Sequence, residues 1–273
     1  MNRKTKTLRR RRIRGVGSAV FSALVYLFLY APIAVIILFS FNVSKRNILF
    51  EGFTLAWYGE MVKNAALLES FANTLIVSGV STVLATVIGT LAAVGLSRYQ
   101  FRGRSVIDGL LYIPVVIPEI VLGIALLSVF SLVSVPLGLG SMILAHTTFC
   151  IPFVVFTVRA RLTGFDRSVE EASMDLGANR IRTFFGITVP IILPGILSGA
   201  ILAFTLSIDD LIISYFTTGP SATTFPLKIM EQVRSGVRPD VYALSSVVIL
   251  ATFTVVLISQ IATYHANKKT AKS

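Results

Sequence analysis

Cysteine is nearly absent from this sequence. Its 273 residues contain one, Cys150, which excludes an intrachain disulfide and any cysteine-based metal cluster. Cys150 lies inside an apolar run and reads as an inert, buried side chain. Histidine is scarce too, at two residues. His146 sits in an apolar run with no second histidine near it, so it reads as bonded to a backbone carbonyl, and a metal role is not expected. Charge is thin: Asp, Glu, Lys and Arg make up 14% of the chain, against about 25% in an ordinary soluble domain. No Gly-Lys dipeptide occurs, which excludes the phosphate-binding loop of an ATPase.

What is present is apolar surface. Hydrophobic residues make up 54% of the chain and the mean hydropathy is +0.80. They fall into runs of about 20 residues or more, the length that spans a bilayer. We read six spans, at about 18–40, 71–96, 106–133, 141–160, 190–216 and 243–264. Backbone groups in hydrocarbon must be satisfied within their own segment, so the spans are expected to be helices. The predicted fold is all-α and integral to the membrane: a domain over 18–264 between a basic segment, 1–17, and a basic tail, 265–273. The first run is too long for a signal peptide and has no small-residue cleavage site, so it is read as a retained span.

A net charge of +12 invites a nucleic-acid reading, but the positions of the charges argue against one. The N-terminal segment, the loops at 97–105 and 159–189 and the tail hold 19 Lys and Arg, and the opposite face holds 6. This is the positive-inside pattern. It puts both termini and the 161–189 loop in the cytoplasm, with the tail near anionic headgroups.

The outer segments carry less information. In 42–70, Thr54 can cap a short helix with Leu55, Tyr58, Met61 and Val62 on one face. Trp57 and Tyr58 suit the headgroup layer. In 217–242, Gly219-Pro220, Pro226, Gly236 and Pro239 predict a loop-rich cap. Two spans carry small residues every four positions: Ser81, Ala85, Gly89, Ala93 and Ser97 in the second, and Gly195, Gly199 and Ala203 in the fifth. They mark close helix contacts, within the chain or with a partner.

The loop between the fourth and fifth spans has the most definite local code. Ser168 and Glu171 have capping-box spacing, and Glu170 and Glu171 favour the positive helix start. Val169, Ala172 and Leu176 share a face. Gly177 can take the left-handed conformation that ends a helix. The expected helix has about two turns and is roughly 12 Å long. Asn179 can start a second one, holding Ile181, Phe184 and Phe185 and closed by Pro190.

Glu171-Ala172-Ser173, then Gly177, then Ile187, Val189 and Pro190, resembles the EAA loop of ABC-importer permeases: Glu-Ala-Ala, Gly four residues later, then Ile-x-Leu-Pro. Ser173 replaces the second Ala and Val189 the Leu. The resemblance implies a coupling helix that docks on a separate ATPase, with ATP and magnesium held there and no catalysis by this chain. It assigns that contact to Ser168, Glu170, Glu171, Ala172, Ser173, Asp175 and Gly177. Further stretches resemble permeases for spermidine and putrescine: Phe39-Ser40-Phe41-Asn42, Thr54 to Tyr58, His146 to Cys150, Leu176-Gly177-Ala178, Phe204 to Leu211, Thr218-Gly219-Pro220 and Pro226 to Ile229. This implies a type I ABC importer with a homologous second permease, an ATPase dimer and an extracytoplasmic polyamine-binding protein, the present chain being the second permease of its pair. A permease for another solute, such as ferric iron, and an ATP-independent secondary transporter are the alternatives.

Carboxylates inside spans bear on the cargo. A charge at a helix centre costs about 2.5–3.5 kcal/mol, so such groups usually face a cavity or a partner. Glu119, Asp209 and Asp210 are the candidate substrate path, and Pro114 and Pro118 free backbone carbonyls beside Glu119. Acids and carbonyls suit a polycation and repel an anion. The other reading of Asp209 and Asp210 is capping, or pairing with Ser207 and Ser214. Asp108 is expected to pair with Arg102 and Arg104.

Overall fold

The structure is a computed structural model. It describes the backbone of residues 4–45, 49–220 and 222–270, and the side chains of these outside 4–17, 234–235, 255–256 and 258–270. The regular elements are helices: α1 (Lys4–Phe39), α2 (Ala56–Lys63), α3 (Ala65–Arg98), α4 (Arg104–Val116), α5 (Glu119–Leu132), α6 (Leu139–Leu162), α7 (Ser168–Asp175), α8 (Arg180–Thr183), a π-helical turn (Phe184–Thr188), α9 (Val189–Ile208), α10 (Ile212–Thr217), α11 (Phe225–Ser235) and α12 (Pro239–Thr270). The chain divides into two compact units, residues 1–65 with 232–273 and residues 66–231.

Among the described residues, four stretches are long and apolar enough to cross a membrane: Ser18–Phe39, Ala65–Arg98, Leu139–Leu162 and Arg180–Ile208. The pair α4 and α5 makes a fifth if taken as one span, but it is bent by 117°. The predicted run 106–133 is therefore two half-helices. Pro118 sets the break, because a residue before proline is pushed out of the α region and Ile117 is extended at φ −74°, ψ 137°. Pro114 stays inside α4. The predicted span 243–264 falls within α12; its part up to Thr254 is apolar, and most of the rest lies outside the side chains that the structure describes.

The predicted span 190–216 is also redrawn. Its helix starts ten residues earlier, at Arg180, and ends at Ile208. Pro190 does not close a separate helix after Asn179; α8, the π turn and α9 follow one another without a gap. A proline has no N–H for the preceding turn and crowds the carbonyl there, and the wider π turn at Phe184–Thr188 absorbs that mismatch.

In the unit 66–231, α6 is the central helix, with 61% of its apolar window buried. The small-residue ladders explain how its neighbours approach. Val154, fully buried, faces Gly89 of α3 on one side and Gly199 of α9 on the other. A Cβ at Gly89 would lie 2.8 Å from Val154 Cβ, and one at Gly199 would lie 3.3 Å from Val154 Cα. Ala85, Ala93 and Ala203 are buried in the same core with Phe149, Val155, Val158 and Ile192. The ladders thus serve contacts within the chain. In lipid these gains are van der Waals packing, which depends on close approach.

In the unit formed by 1–65 and 232–273, Trp57 Nε1 donates to the Asn42 carbonyl (2.6 Å) and the Tyr58 hydroxyl pairs with that of Ser40 (2.9 Å). Asn64 donates to the buried carboxylate of Asp240 (2.7 Å). Thr54 accepts from the Ala56 N–H, but it stands one residue ahead of the N-cap position, Leu55, where no side chain caps α2. The predicted shared face is split: Tyr58 and Met61 are half-buried, while Leu55 and Val62 are exposed. The segment 217–242 holds more helix than its turn residues predict, because Pro226 sits in the first turn of α11, where a missing N–H costs nothing.

Candidate functional site

The polar helix α7 is built and held as a rigid body. Its N-terminal cap is not the predicted Ser168–Glu171 box. Asp166 Oδ1 accepts the Ser168 N–H at 2.9 Å, and the Glu171 N–H goes to the Arg167 carbonyl. The Ser168 N–H, together with its hydroxyl, holds the exposed Asp166 carboxyl below the usual carboxylate range. A short acidic side chain just ahead of the helix satisfies a free N–H and meets the positive end of the helix dipole, so the cap lies two residues before the predicted one. The C-terminus follows the expectation. Gly177 has φ +92°, the Ala178 N–H reaches the Ser173 carbonyl, and the Gly177 N–H reaches that of Met174. This pair of bonds is the Schellman closure.

Two acids that look alike in sequence do different things. Glu170 points inward. Its Oε1 is 2.7 Å from Arg98 Nη2 at the end of α3 and accepts the Thr188 hydroxyl at 2.5 Å. The two side chains of the ion pair are only 13% and 15% exposed. Arg98 also lies 4.9 Å over the Phe165 ring, and Arg167 donates to the Ser97 carbonyl at 2.9 Å. Glu170 therefore ties α7 to the end of one apolar helix and to the π turn that leads into another. Glu171, Ala172 and Asp175 are exposed, as is Ser168, and Ser173 is half-buried against Thr183 at 3.3 Å. Leu176 is 90% exposed, and Ile181 and Phe185 are exposed as well. Leu176, Val169, Ala172 and Ile187 line an open cavity of about 380 Å³ on one side of α7. Sequence reasoning missed Arg98, Arg167 and Thr188. Arg98 and Thr188 lie in other segments, and only the fold brings them to Glu170; Arg167 directly precedes α7, and only the fold brings it to Ser97.

The three path candidates separate as well. Asp210 is buried and caps α10, accepting the Ile213 N–H (3.2 Å) and the Ser214 N–H (2.8 Å). Its Oδ2 is 3.3 Å from His146 Nε2. His146 does not bond a backbone carbonyl: Nδ1 meets Ser207 Oγ at 2.7 Å and Nε2 meets Ser214 Oγ at 3.0 Å. Ser81 of α3 joins Ser207 at 3.2 Å. One buried polar network thus connects α3, α6, α9 and α10, each bond of the kind worth about 0.6 kcal/mol and at most about 1.7 in a membrane bundle. Asp210 takes the capping role. Asp209 and Glu119 are exposed, and Glu119 lies within Coulombic reach of both aspartates. Asp108 pairs with Arg159 (2.6 Å) and, more loosely, with Arg104 (3.7 Å); Arg159, not Arg102, is its main partner.

Long apolar helices, a polar network between them and a capped polar helix fastened to their ends define a class: a polytopic membrane protein. Residues 85–272 match the family described as "Binding-protein-dependent transport system inner membrane component", and the chain belongs to that family. It is 42% identical over 241 residues to the spermidine/putrescine transport system permease protein PotC of Escherichia coli, covering 88% of this chain and 91% of that one. It is 38% identical over 244 residues to the Escherichia coli putrescine transport system permease protein PotI, covering 87% of each. A crystal structure of a bacterial ABC transporter that imports the acidic polysaccharide alginate superposes at TM-score 0.71, with 16% identity, over 93% of this chain and 96% of that one. This last likeness is one of fold.

Proposed function

We propose that this chain is the membrane-spanning permease subunit of an ATP-driven ABC importer whose cargo is a polyamine of the spermidine and putrescine type. The observation that carries the reading is the 42% identity to a spermidine/putrescine permease along 88% of the chain. In this reading the chain crosses a bacterial cytoplasmic membrane six times, with both termini and α7 inside, as the 19-to-6 division of basic residues favours. Its partners are a homologous second permease, an ATPase dimer that binds ATP and magnesium, and an extracytoplasmic polyamine-binding protein.

The chain itself does no covalent chemistry. Closure of the ATPase dimer moves α7, and the Glu170 links pass that motion to α3 and α9. The exposed side of α7, with Glu171, Ala172, Asp175 and Leu176, meets the ATPase. Glu119 and Asp209 present carboxylates to a passing polycation, and Asp210 holds the α10 turn beneath them. The test is ATP-dependent uptake of labelled spermidine and putrescine into vesicles holding the chain with its partner subunits, against unlabelled polyamines, ferric iron and molybdate. Uptake that needs ATP and the binding protein, and that only polyamines compete away, is expected. Competition by molybdate or iron would overturn the cargo, and uptake without ATP would overturn the class.

A further inference from the structure

The ends of three helices border a second, open cavity that the transport reading does not use. It holds about 340 Å³ and is lined by Ser97 and Arg98 at the end of α3, Arg104 at the start of α4, Arg159 and Thr163 at the end of α6, and Arg167. Four guanidinium groups line it, and no carboxylate does.

Among the described residues, two acids answer those four cations. Glu170 takes Arg98; Asp108 is shared by Arg159 and Arg104. Arg167 makes its described bond to a neutral carbonyl, and Arg98 Nε is buried with no hydrogen-bond partner. The C-terminal ends of α3 and α6 contribute about half a negative charge each and the N-terminal end of α4 about half a positive one, which leaves the cavity positive by about one and a half charges. The arginines are also partly withdrawn from water: the side chains of Arg98, Arg104 and Arg159 are 13%, 24% and 27% exposed. A solvated basic face would leave them extended. Planar guanidinium forks suit phosphate oxygens, and Ser97 and Thr163 add hydroxyls at the rim. The cavity lies where the apolar helices α3 and α6 end, which in the membrane reading is where lipid headgroups begin.

We propose that this cavity binds a phosphate ester group, such as the headgroup of an anionic phospholipid. The proposal rests on the membrane reading of the chain and is independent of its cargo.

The assembled complex, with its partner subunits, is placed in nanodiscs of phosphatidylcholine doped with phosphatidylglycerol, and the phospholipid retained on extraction is read by native mass spectrometry. Phosphatidylglycerol should be retained in preference to phosphatidylcholine. Arg104→Gln should weaken that retention about fivefold, the equivalent of about 1 kcal/mol per basic residue. Asp108→Asn, which removes an acid from the same cluster, should strengthen it. A purely structural role, or damage to the fold, would move both variants the same way and would overturn the proposal. Equal retention of the two lipids would also overturn it, as expected if the ATPase fills the cavity with an acidic side chain. Millimolar inorganic phosphate separates the sources. Displacement of phosphatidylglycerol supports the site with soluble phosphate as a ligand; no displacement supports it with the lipid headgroup.

Discussion

Removing the carboxylate of Glu170 should detach α7 from the helices it serves. Glu170→Ala leaves Arg98 charged and mostly buried without its partner, and leaves the Thr188 hydroxyl without its acceptor. Breaking a buried pair on one side costs about 3–5 kcal/mol. The slight exposure of both side chains puts this pair at the low end, about 3 kcal/mol. At 1.4 kcal/mol per decade, the equilibrium between docked and undocked α7 shifts by about 150-fold. Glu170→Gln keeps an acceptor oxygen but loses the charge assistance, roughly half the bond strength, and should shift it by about tenfold. Arg98→Met with Glu170→Leu removes both charges and restores apolar contact, so docking should largely return. Amide hydrogen exchange over 168–177 reads the docking directly, and ATP-dependent uptake by the assembled complex reads its consequence. The order wild type, Gln, Ala should appear in both, with the double variant recovering. Wild-type exchange in Glu170→Ala would refute the reasoning, and so would a double variant no better protected than the single one.

Glu171→Ala should leave the exchange of α7 unchanged, because that side chain is exposed, while weakening ATPase docking in a pull-down. Gly177→Val should impair uptake with normal membrane insertion. Nothing crowds a Cβ there, so the cost is the left-handed backbone, about 1–2 kcal/mol, seen as faster exchange in the last turn of α7. Gly89→Ala should lower thermal stability by about 1–3 kcal/mol through overpacking against Val154, and Val154→Ala should relieve part of that loss in the double variant. The Asp166 cap should weaken on acidification. Its folded pKa is depressed, so its stabilisation is present above the unfolded carboxylate value, about 3.9, and fades as pH falls through the lower folded value; exchange of the first-turn amides of α7 should rise there in the wild type and stay flat in Asp166→Ala. Asp209→Asn should reduce polyamine uptake with the complex intact, whereas Asp210→Asn should reduce recovery of the assembled complex, because only Asp210 caps α10 and meets His146.

Much of this was legible in the sequence because the signals are local or compositional. Apolar run length predicts which segments enter a bilayer, since the hydrocarbon leaves the backbone no other partner. Four-residue spacing of Gly, Ala and Ser marks the faces where helices touch. Gly177 marks the end of α7 because one left-handed residue closes it without reference to anything distant. Prolines were less decisive. Pro114, Pro118 and Pro190 read alike, yet Pro114 stays in a helix, Pro118 turns the chain by 117° and Pro190 is absorbed by a π turn. The surrounding packing chooses among those outcomes.

The sequence alone determined that this is a helical membrane protein with a capped polar helix in a basic loop, because hydropathy, capping and spacing act over a few residues. Only the tertiary structure decided which glutamate of the pair at 170 and 171 turns inward, and that Asp210 caps a helix while Asp209 stays open. It also decided that His146 joins four helices through Ser207 and Ser214. The Glu170 and His146 outcomes depend on which distant group arrives within about 3 Å, the range in which a hydrogen bond or ion pair exists; the Asp210 cap is local, and the fold's part there is to bury Asp210 beside His146.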